Sequence, residues 1–448
     1  MPALDVLILA AGKGTRMKSD LPKVLHRVMG EPLLRHVVDA ARALRPRRIG
    51  IIVGHRRELV VEEFQGDKSL AFVVQEEQKG TGHAIRCAQA KFARGGGHVM
   101  VLSGDVPLMR PETLHDLYRS HLEHDVAASV LTAVLDAPGS LGRIVRGRSG
   151  RLEKIVEARD ATPEESAVKE INSGIYVFKK EALFAGLKKL EPHPPSGEFY
   201  LTDVVKDLVL GGRKVHAEII MDPTEAFGIN TRAELAEAHR ALKARILEEH
   251  AEKGVIIVDP PTTYIAKGAV IGPGTVILPF SVISGAVNLG ARCRIGPFAH
   301  LRPGTTIADG ATIGNFVEVK NSAIGAGTAV CHLSYLGDAT IGSRVNVGAG
   351  TITANFDGAT KHVAVVEDDA KLGAGVVLIA PVRVGRRSVV GAGAVVTARH
   401  DVPEGTTVVG APARALAATP PKAKERKRAA SPRREDQGTR VRRRQPAK

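Results

Sequence analysis

Hydrophobic and polar positions along the chain change their periodicity near residue 254. Before that point, short apolar runs alternate with amphipathic segments of helical spacing. Six such runs begin at residues 5, 48, 70, 98, 125 and 172 and read DVLILAAG, RIGIIVGH, LAFVVQEE, HVMVLSGDVPL, DVAASVLTAVL and NSGIYVFKK. Apolar runs separated by helical segments predict a doubly wound, Rossmann-like α/β domain with a mostly parallel sheet. Ligands of such a sheet bind at the carboxyl ends of its strands.

After residue 254, two rows of residues recur with a period of six. The first row is aliphatic: Ile265, Ile271, Ile277, Ile283, Leu289, Ile295, Leu301, Ile307, Ile313 and Val319. The second row, four positions later, holds small residues or valine: Ala269, Thr275, Ser281, Val287, Cys293, Ala299, Thr305, Ala311, Val317 and Ala323. Two buried positions per hexapeptide explain both rows, and three hexapeptides per turn predict a left-handed parallel β-helix of about seven coils.

The aliphatic row is not continuous to the end of the repeats. It slips by one residue to Ile324 and again to Ile341, is interrupted near Asn355, and resumes at Val366 to run as far as Val396. Residues that fill neither buried position collect around the two slips.

A single exposed helix is expected between the two patterns. Thr231 and Glu234 have the spacing of a capping box, and Gly254 can end the helix. The predicted organisation is therefore an α/β domain at 1–230, a linker helix at 231–253, a β-helix at 254–416 and a tail at 417–448.

Charge and cysteine content add little to the predicted organisation, except for the basic tail at 417–448. The formal charge is +15, but residues 417–448 hold twelve Lys/Arg and three Asp/Glu, so most of the excess lies there. We expect this segment to be disordered, either as a solvated extension or as a weak binder of nucleic acid or an anionic surface. Three cysteines without CxxC spacing, no secretory pattern and no apolar stretch of membrane length predict a soluble, cytoplasmic protein.

A glycine-rich loop directly follows the first apolar run. In LAAGKGTRM, Gly12 and Gly14 allow close approach of a nucleotide, while Arg16 and the later Lys23 can meet phosphate oxygens. The loop matches neither the dinucleotide-binding fingerprint nor the Walker spacing.

Two further segments support a nucleotide site at the same sheet edge. Asp105, in LSGDVPL, ends the fourth apolar run, where a carboxylate can hold Mg²⁺ with few protein ligands. The segment QEEQKGTGHA places Gln75, Gln78, Gly80 and Thr81 where amide and backbone groups can meet a base edge.

A second candidate site surrounds AVCHLSYLGD, residues 329–338. His332 lies between the buried positions 330 and 334, and several neighbours also avoid the buried rows: Arg302, Lys320, Tyr335 and Asn346. An imidazole, a phenol, an amide and cations close to the register slips favour a catalytic site. Zinc held by His300, His332 and His362 is a less favoured alternative, because the surrounding cations suit an anion. A thiol nucleophile at Cys331 is also less favoured, because adjacent residues of a strand point to opposite sides.

The motifs together resemble the GlmU family of bifunctional bacterial enzymes. Those that carry the resemblance are LAAGKGTRM with LPKVL, QKGTGHA, GDVPL, GRIV, IVEARDA, EINSGIYVF, GEFYLTD and GINTR, and with the repeats they span residues 4 to about 416. The resemblance implies acetyl transfer from acetyl-CoA to glucosamine-1-phosphate, then uridylyl transfer from UTP to N-acetylglucosamine-1-phosphate. It also implies Mg²⁺, a homotrimer, and a product used for peptidoglycan and lipopolysaccharide.

The resemblance also implies roles for individual residues. Arg16 and Lys23 would act in uridylyl transfer, and His332 would be the general base of acetyl transfer. The residues implied to bind the uridylyl-site substrates are Leu9, Ala10, Ala11, Gly12, Lys23, Gln75, Gly80, Thr81, Ser103, Gly104, Asp105, Gly142, Glu157, Asn172 and Asn230, with Thr202 a further candidate. Asp105 and Asn230 would hold Mg²⁺. The sugar phosphate of the acetyl site would meet Arg302, Lys320, Tyr335, Asn346 and Lys361, and acetyl-CoA would meet Ala349, Asn355, Phe356, Ala374 and Ala392.

Two rival interpretations remain at this point. One is a non-enzymatic assembly or nucleic-acid-binding protein, with an inert β-helix and the basic tail as the binding element. The other is a nucleotidyltransferase of different sugar or base choice, with a purely structural β-helix.

Overall fold

The computed structural model describes residues 2–194 and 197–416. Within these residues the N-terminal part forms a nine-stranded sheet and a short two-stranded ribbon, β2 with β3. Its strands are β1 (Leu4–Ala10), β2 (Arg27–Val28), β3 (Glu31–Pro32), β4 (Arg48–Val53), β5 (Leu70–Val74), β6 (His98–Ser103), β7 (Ala128–Val134), β8 (Arg143–Arg146), β9 (Leu152–Val156), β10 (Glu170–Lys179) and β11 (Val215–Ile219).

Helices cover both faces of this sheet, as the alternating pattern predicts. They are α1 (Leu33–Ala43), α2 (Arg57–Phe64), α3 (Gly80–Cys87), α4 (Gln89–Phe92), α5 (Pro111–Glu123), α6 (Pro163–Ser166), α7 (Lys180–Leu187) and α8 (Thr202–Leu210), and the linker helix α9 (Arg232–Glu252) follows them. Side chains of one strand divide between two separate cores, since Leu7 packs on one face and Ile8 on the other. Full burial of such a side chain contributes about 1.5–3 kcal/mol.

The sheet order is β11-β7-β10-β6-β1-β4-β5, with the β8–β9 hairpin attached to β10. All six predicted apolar runs are strands, and along this order four of the six pairings are parallel, while the β8–β9 hairpin and its pairing with β10 are antiparallel. The long strand β10 is the exception, because it runs antiparallel to both β6 and β7. The carboxyl ends of β1, β4 and β6 share one edge, where the glycine-rich loop and Asp105 follow their strands.

The predicted capping box begins helix α9. The Glu234 amide donates to Thr231 Oγ1 at 3.2 Å, and the Thr231 amide donates to Glu234 Oε2 at 2.7 Å. Near its other end, Ile246 and Leu247 join a core that also contains Ile265 of the first coil. The helix thus packs directly on the repeat region.

The residues after α9 form a parallel β-helix with three flat faces. Face 1 contains Ile256–Ile257, Val276–Ile277, Arg294–Ile295, Thr312–Asn315, Ala329–His332, Asn346–Val347, Lys371–Leu372, Val389–Val390 and Thr407–Val409, with the antiparallel Arg414–Ala415 at its end. Face 2 contains Tyr264–Ile265, Val282–Ile283, His300–Leu301, Glu318–Lys320, Tyr335–Gly337, Ile352–Ala354, Val377–Ile379 and Val395–Val396. Face 3 contains Val270–Ile271, Val287–Leu289, Thr305–Ile307, Ala323–Ile324, Ala339–Ile341, Ala364–Val366 and Val382–Val384.

Burial confirms the two rows of the hexapeptide pattern with one correction. Every aliphatic residue predicted to be internal from Ile265 to Val319 is buried, and the slipped residues Ile324 and Ile341 are buried as well. The prediction that Ala323 fills a small internal position is wrong: Ala323 is exposed, and Ser322 is buried in its place. The first register slip therefore lies between the buried residues Val319 and Ser322, within the hexapeptide that begins at Val319.

Candidate active sites

A cleft of about 700 Å³ opens at the carboxyl edge of the N-terminal sheet. Ten of the residues predicted to bind the uridylyl-site substrates line it, namely Leu9, Ala10, Ala11, Gly12, Lys23, Gln75, Gly80, Thr81, Ser103 and Asp105. The glycine-rich loop turns tightly here because Gly14 has a φ of +61°. A Cβ at that position would stand 2.6 Å from the Cβ of Lys23, so Gly14 allows Lys23 to lie against the loop.

The polar centre of this cleft consists of two cations and two oxygen ligands. Lys23 Nζ pairs with Asp105 Oδ2 and donates to Asn230 Oδ1 at 3.0 Å, and Arg16 donates to the same Asn230 oxygen at 2.8 Å. The Ile229 amide donates to the Asp105 carbonyl at 2.9 Å, which fixes the segment of Asn230 next to β6. A carboxylate and an amide oxygen are suitable ligands for Mg²⁺, and substrate phosphates would have to complete its shell.

The opposite wall of the cleft is built by the start of α3. Gln75 is buried, and its side chain donates to the Gly80 carbonyl at 3.1 Å. A Cβ at Gly80 would stand 2.6 Å from the Phe199 carbonyl oxygen, so the close approach of these segments requires glycine. Thr81 Oγ1 accepts from the Leu201 amide at 3.1 Å, which joins this wall to the segment that leads into α8.

Gly142, Glu157 and Asn172 do not line the cleft itself. The Asn172 amide donates to the Gly142 carbonyl at 2.9 Å, and its side chain donates to Tyr176 Oη at 2.7 Å. Burial raises the pKa of Glu157; Asp160 and Asp203 raise it further, while Arg159 and Thr202 oppose the shift. These residues form a partly buried polar group, which lies where the pairing of β10 with β7 is irregular, between Asn172 and Tyr176.

Ser103 connects that polar group with the cleft. A Cβ built at Gly174 would stand 3.3 Å from Ser103 Oγ, and the Gly174 amide donates to Asn172 Oδ1 at 3.1 Å. Gly104 lies next to Ser103, and its amide donates to the Leu9 carbonyl at 2.9 Å, which holds the ends of β6 and β1 together.

A cluster of cations marks the corner between faces 2 and 3 of the β-helix. A hydrogen bond with Lys361 and the charge of that residue lower the pKa of the Lys320 ammonium, and Arg302 adds to the effect. Arg302 pairs with Glu318 at 2.8 Å. Three cations this close to one another need an anion, and a phosphate monoester suits that arrangement.

Asp338 lies beneath this corner and is almost fully buried. Its burial acts to raise its pKa, but hydrogen bonds from Asn321 and Asn355 and the charges of Lys361 and Lys320 hold the pKa below its usual range. The side-chain amide of Asn355 is directed at this carboxylate.

His332 lies at the other edge of face 2, as the last residue of its face 1 strand. Its Nδ1 lies 2.7 Å from Oδ1 of Asn315, the residue paired with it on the coil below. Tyr335 begins the following face 2 strand, and its phenol lies against Gly337, which pairs with Lys320. Tyr335 therefore spans the face between the imidazole and the cations.

A column of small residues continues upward from His332 on successive coils. The Gly375 amide donates to the Ala349 carbonyl at 2.7 Å, and the Gly393 amide donates to the Ala374 carbonyl at 2.8 Å. Ala392 lies at the same corner, while Asn346 is exposed on face 1, between Ala329 and Lys371. Phe356 is exposed beyond the end of face 2.

The neighbouring column changes from large to small side chains at the level of His332. Below it, Phe280, Phe298 and Phe316 are exposed and stacked, with ring centroids 4.8 and 5.1 Å apart, and Leu333 follows them. Above it the equivalent positions are Gly350, Gly375 and Gly393, which carry no side chain.

Sequence reasoning did not identify Asn315. The register slip in the sequence could have identified it. A regular coil has eighteen residues, and the first slip shortens this coil by one, so that residue 315 lies directly below residue 332. Nor did it identify Glu198, which lines the cleft of the N-terminal sheet. Among the described residues, no group of three or more His, Cys, Asp or Glu is placed to hold a metal ion. No helix in the described part is long and apolar enough to cross a membrane.

Comparisons with known proteins agree with the two-domain architecture. The MobA-like NTP transferase domain matches residues 6–174, and the bacterial transferase hexapeptide matches residues 286–321 and 364–398. The chain is thus a bifunctional transferase in which a nucleotidyltransferase domain is joined to a hexapeptide-repeat acyltransferase domain.

The chain belongs to the GlmU family. The bifunctional protein GlmU of Desulfitobacterium hafniense strain Y51 is 42% identical over 442 residues, which cover 91% of this chain and 96% of that protein. The bifunctional protein GlmU of Pelobacter propionicus is 43% identical over 443 residues, with 91% and 96% covered. A structure of UDP-glucose pyrophosphorylase with UDP-glucose aligns with a TM-score of 0.44 and 18% identity, over 54% of this chain and 99% of that one.

Proposed function

We propose that the chain makes UDP-N-acetylglucosamine in two steps at two separate sites. The β-helix (residues 254–416) acetylates glucosamine-1-phosphate with acetyl-CoA, and the α/β domain (residues 1–230) then transfers uridylate from UTP to N-acetylglucosamine-1-phosphate. Residues 231–253 join the two domains. The observation that carries the proposal is the pair of polar centres, one around Lys23 and Asp105 and one around His332, on the two domains of a GlmU family member.

In acetyl transfer, the sugar phosphate binds the cations Arg302, Lys320 and Lys361, with Tyr335 and Asn346 beside the sugar. The amine attacks the thioester carbonyl of acetyl-CoA, so that a C–N bond forms, the C–S bond breaks and the coenzyme A thiolate leaves. His332 Nε2 takes the proton from the amine nitrogen and then returns it to the thiolate. The column of small residues with Ala349, Ala374 and Ala392, with Asn355 and Phe356 farther away, accommodates acetyl-CoA.

In uridylyl transfer, a sugar phosphate oxygen attacks the α-phosphorus of UTP, and pyrophosphate leaves as the P–O bond to the β-phosphate breaks. Arg16 and Lys23 place positive charge beside these phosphates, and Gln75, Gly80 and Thr81 hold the base. Positioning and electrostatic stabilisation are sufficient for such a reaction without a covalent nucleophile. Asp105 and Asn230 would hold Mg²⁺, which supplies further positive charge to the phosphates when it is bound. The polar group of Gly142, Glu157 and Asn172 receives the N-acetylglucosamine.

The wider setting belongs to the same proposal. We infer a homotrimer, which the exposed stack of Phe280, Phe298 and Phe316 supports because contiguous apolar surface favours association. We infer a cytoplasmic location, which the three free cysteines support. The product would serve peptidoglycan and lipopolysaccharide synthesis. The basic tail, predicted to be disordered, lies outside the described residues.

The test is a pair of variants assayed for both reactions. His332→Ala should lower acetyl transfer by about 10²- to 10⁴-fold, the usual contribution of a general base, with uridylyl transfer preserved. Lys23→Ala should show the converse. His300→Ala, on the outer side of face 2, and Lys18→Ala, beside the glycine-rich loop, are the matched controls. Equal loss of both activities in either variant, or loss of neither, contradicts the assignment of two sites.

A further inference from the structure

We propose that Asn315 is a positioning residue that fixes the tautomer of His332 during acetyl transfer. The proposal rests on the assignment of His332 as the general base. A neutral imidazole can accept a proton at only one nitrogen, and the other nitrogen carries hydrogen. With Asn315 Oδ1 at 2.7 Å from Nδ1, the hydrogen resides on Nδ1 and is donated to the amide oxygen. Nε2 is then the basic nitrogen, and in the described residues it has no hydrogen-bond partner.

The local backbone holds both side chains at this distance. Asn315 and His332 are register partners in a parallel ladder, and the Leu333 amide donates to the Asn315 carbonyl at 3.0 Å. The His332 carbonyl accepts from Ser334 Oγ at 2.8 Å. Neither residue therefore depends on a mobile loop for its position.

Among the described residues, Asn315 provides the hydrogen bond of the His332 ring. The strands stacked on either side of it, Thr312–Asn315 and Asn346–Val347, carry no titratable side chain. Cys331 on its own strand and Tyr335 on the next strand are the titratable neighbours, and the cation cluster lies at the far edge of face 2. A neutral amide orients the imidazole without adding charge to its surroundings.

This role differs from that of the acidic partner of a Ser-His-Asp triad. A carboxylate would stabilise the imidazolium, whereas an amide oxygen only selects the tautomer. Asn315→Ala and Asn315→Asp should therefore change the pH profile of kcat in different ways. A general structural role would lower kcat in both variants alike.

The experiment is the pH profile of kcat for acetyl transfer in the full chain. Asn315→Ala removes the acceptor, and the plateau should fall by about 10- to 100-fold, the usual effect of removing an orienting partner of a functional histidine. Asn315→Asp keeps the acceptor and adds a charge, so the plateau should remain within a few-fold of wild type. Its ascending limb should move to higher pH by about one unit. Asn288→Ala and Asn288→Asp, at an exposed strand position of face 3, are the matched controls.

Uridylyl transfer and the circular dichroism of each variant report whether the chain remains folded. Profiles of both Asn315 variants that superimpose on wild type would overturn the proposal, as would an equal fall in both plateaus without any pH shift. The His332→Ala variant separates this failure from that of the proposed function. If His332→Ala is inactive in acetyl transfer while the Asn315 variants behave as wild type, only the positioning role is lost.

Discussion

Gly314 determines how closely the strand of His332 packs on the strand below it. A Cβ at position 314 would stand 2.5 Å from the carbonyl carbon of Cys331 and 2.8 Å from its Cα, whereas ordinary contacts begin at 3.4 Å. Gly314→Ala therefore requires the two strands to separate locally by more than about 1 Å, because the Cys331 carbonyl oxygen lies nearer still to the added Cβ. The obstructing atoms belong to the backbone, so rotation of a side chain cannot relieve the contact.

The expected consequence is selective loss of acetyl transfer. A displacement of about 1 Å at a catalytic group can lower the rate by about 10²-fold, so kcat for acetyl transfer should fall by that order. Overpacking should also lower the free energy of unfolding by about 1–3 kcal/mol. Uridylyl transfer should not change, because its cleft lies on the other domain.

The assay compares both activities and urea unfolding in Gly314→Ala and in Gly268→Ala. Gly268 is the matched control because the nearest atoms to its added Cβ are 3.7 Å away, and its φ is not positive. Wild-type acetyl transfer in Gly314→Ala would refute the reasoning that this close contact positions His332. A loss of equal size in Gly268→Ala would show that the β-helix responds to any added methyl group.

Three further outcomes follow from buried and clustered charges. Lys361→Met should raise the pKa of Lys320, because the neighbouring ammonium lowers it. The KM for glucosamine-1-phosphate should rise by about 10- to 100-fold in steady-state kinetics, with a small change in kcat. Asp5→Ala should lower the free energy of unfolding by about 3–5 kcal/mol in urea titrations, because buried Lys180 loses its partner at 2.7 Å. Burial lowers the pKa of His121 to about 3, so its neutral form contributes stability that is complete above pH ~6.5 and is lost as the pH falls towards 3. His121→Gln should flatten that part of the pH–stability curve, and an unchanged slope would contradict the assignment.

The repeat region could be predicted in detail because the positions of its aliphatic residues correspond directly to the buried positions of the β-helix. A side chain every sixth residue faces the interior of a coil, and the only residues available for chemistry are those that the rows leave free. His332, Lys320 and Tyr335 were therefore recognisable from the sequence. Ala323 was misplaced because alanine is compatible with both environments, and nothing in its own identity shows on which side of a slip it lies.

The direction of β10 and the role of Asn315 could not be predicted by the same means. An apolar strand has the same local pattern whether its neighbours run parallel or antiparallel, so the sequence does not distinguish β10 from the parallel strands of the sheet. Asparagine is common at exposed positions of such repeats, so the residue type of Asn315 does not distinguish it. Its contact with His332 depends on how one coil stacks on the next. The separation of Gly142 and Asn172 from the cleft also depends on such long-range packing, since these two residues meet where β8 pairs with β10.

The seventeen-residue interval between Asn315 and His332 has a consequence for the modularity of the β-helix. Elsewhere in the lower coils, partners such as Ile277 and Ile295 are eighteen residues apart, and each coil bonds only to the coils next to it. Whole coils of eighteen are thus interchangeable units, and adding or deleting one below the site changes the height of the column by about 4.8 Å. The separation of His332 from the cleft of the α/β domain can accordingly vary only in discrete increments, while the shortened coil that carries His332 has to be inherited as one piece.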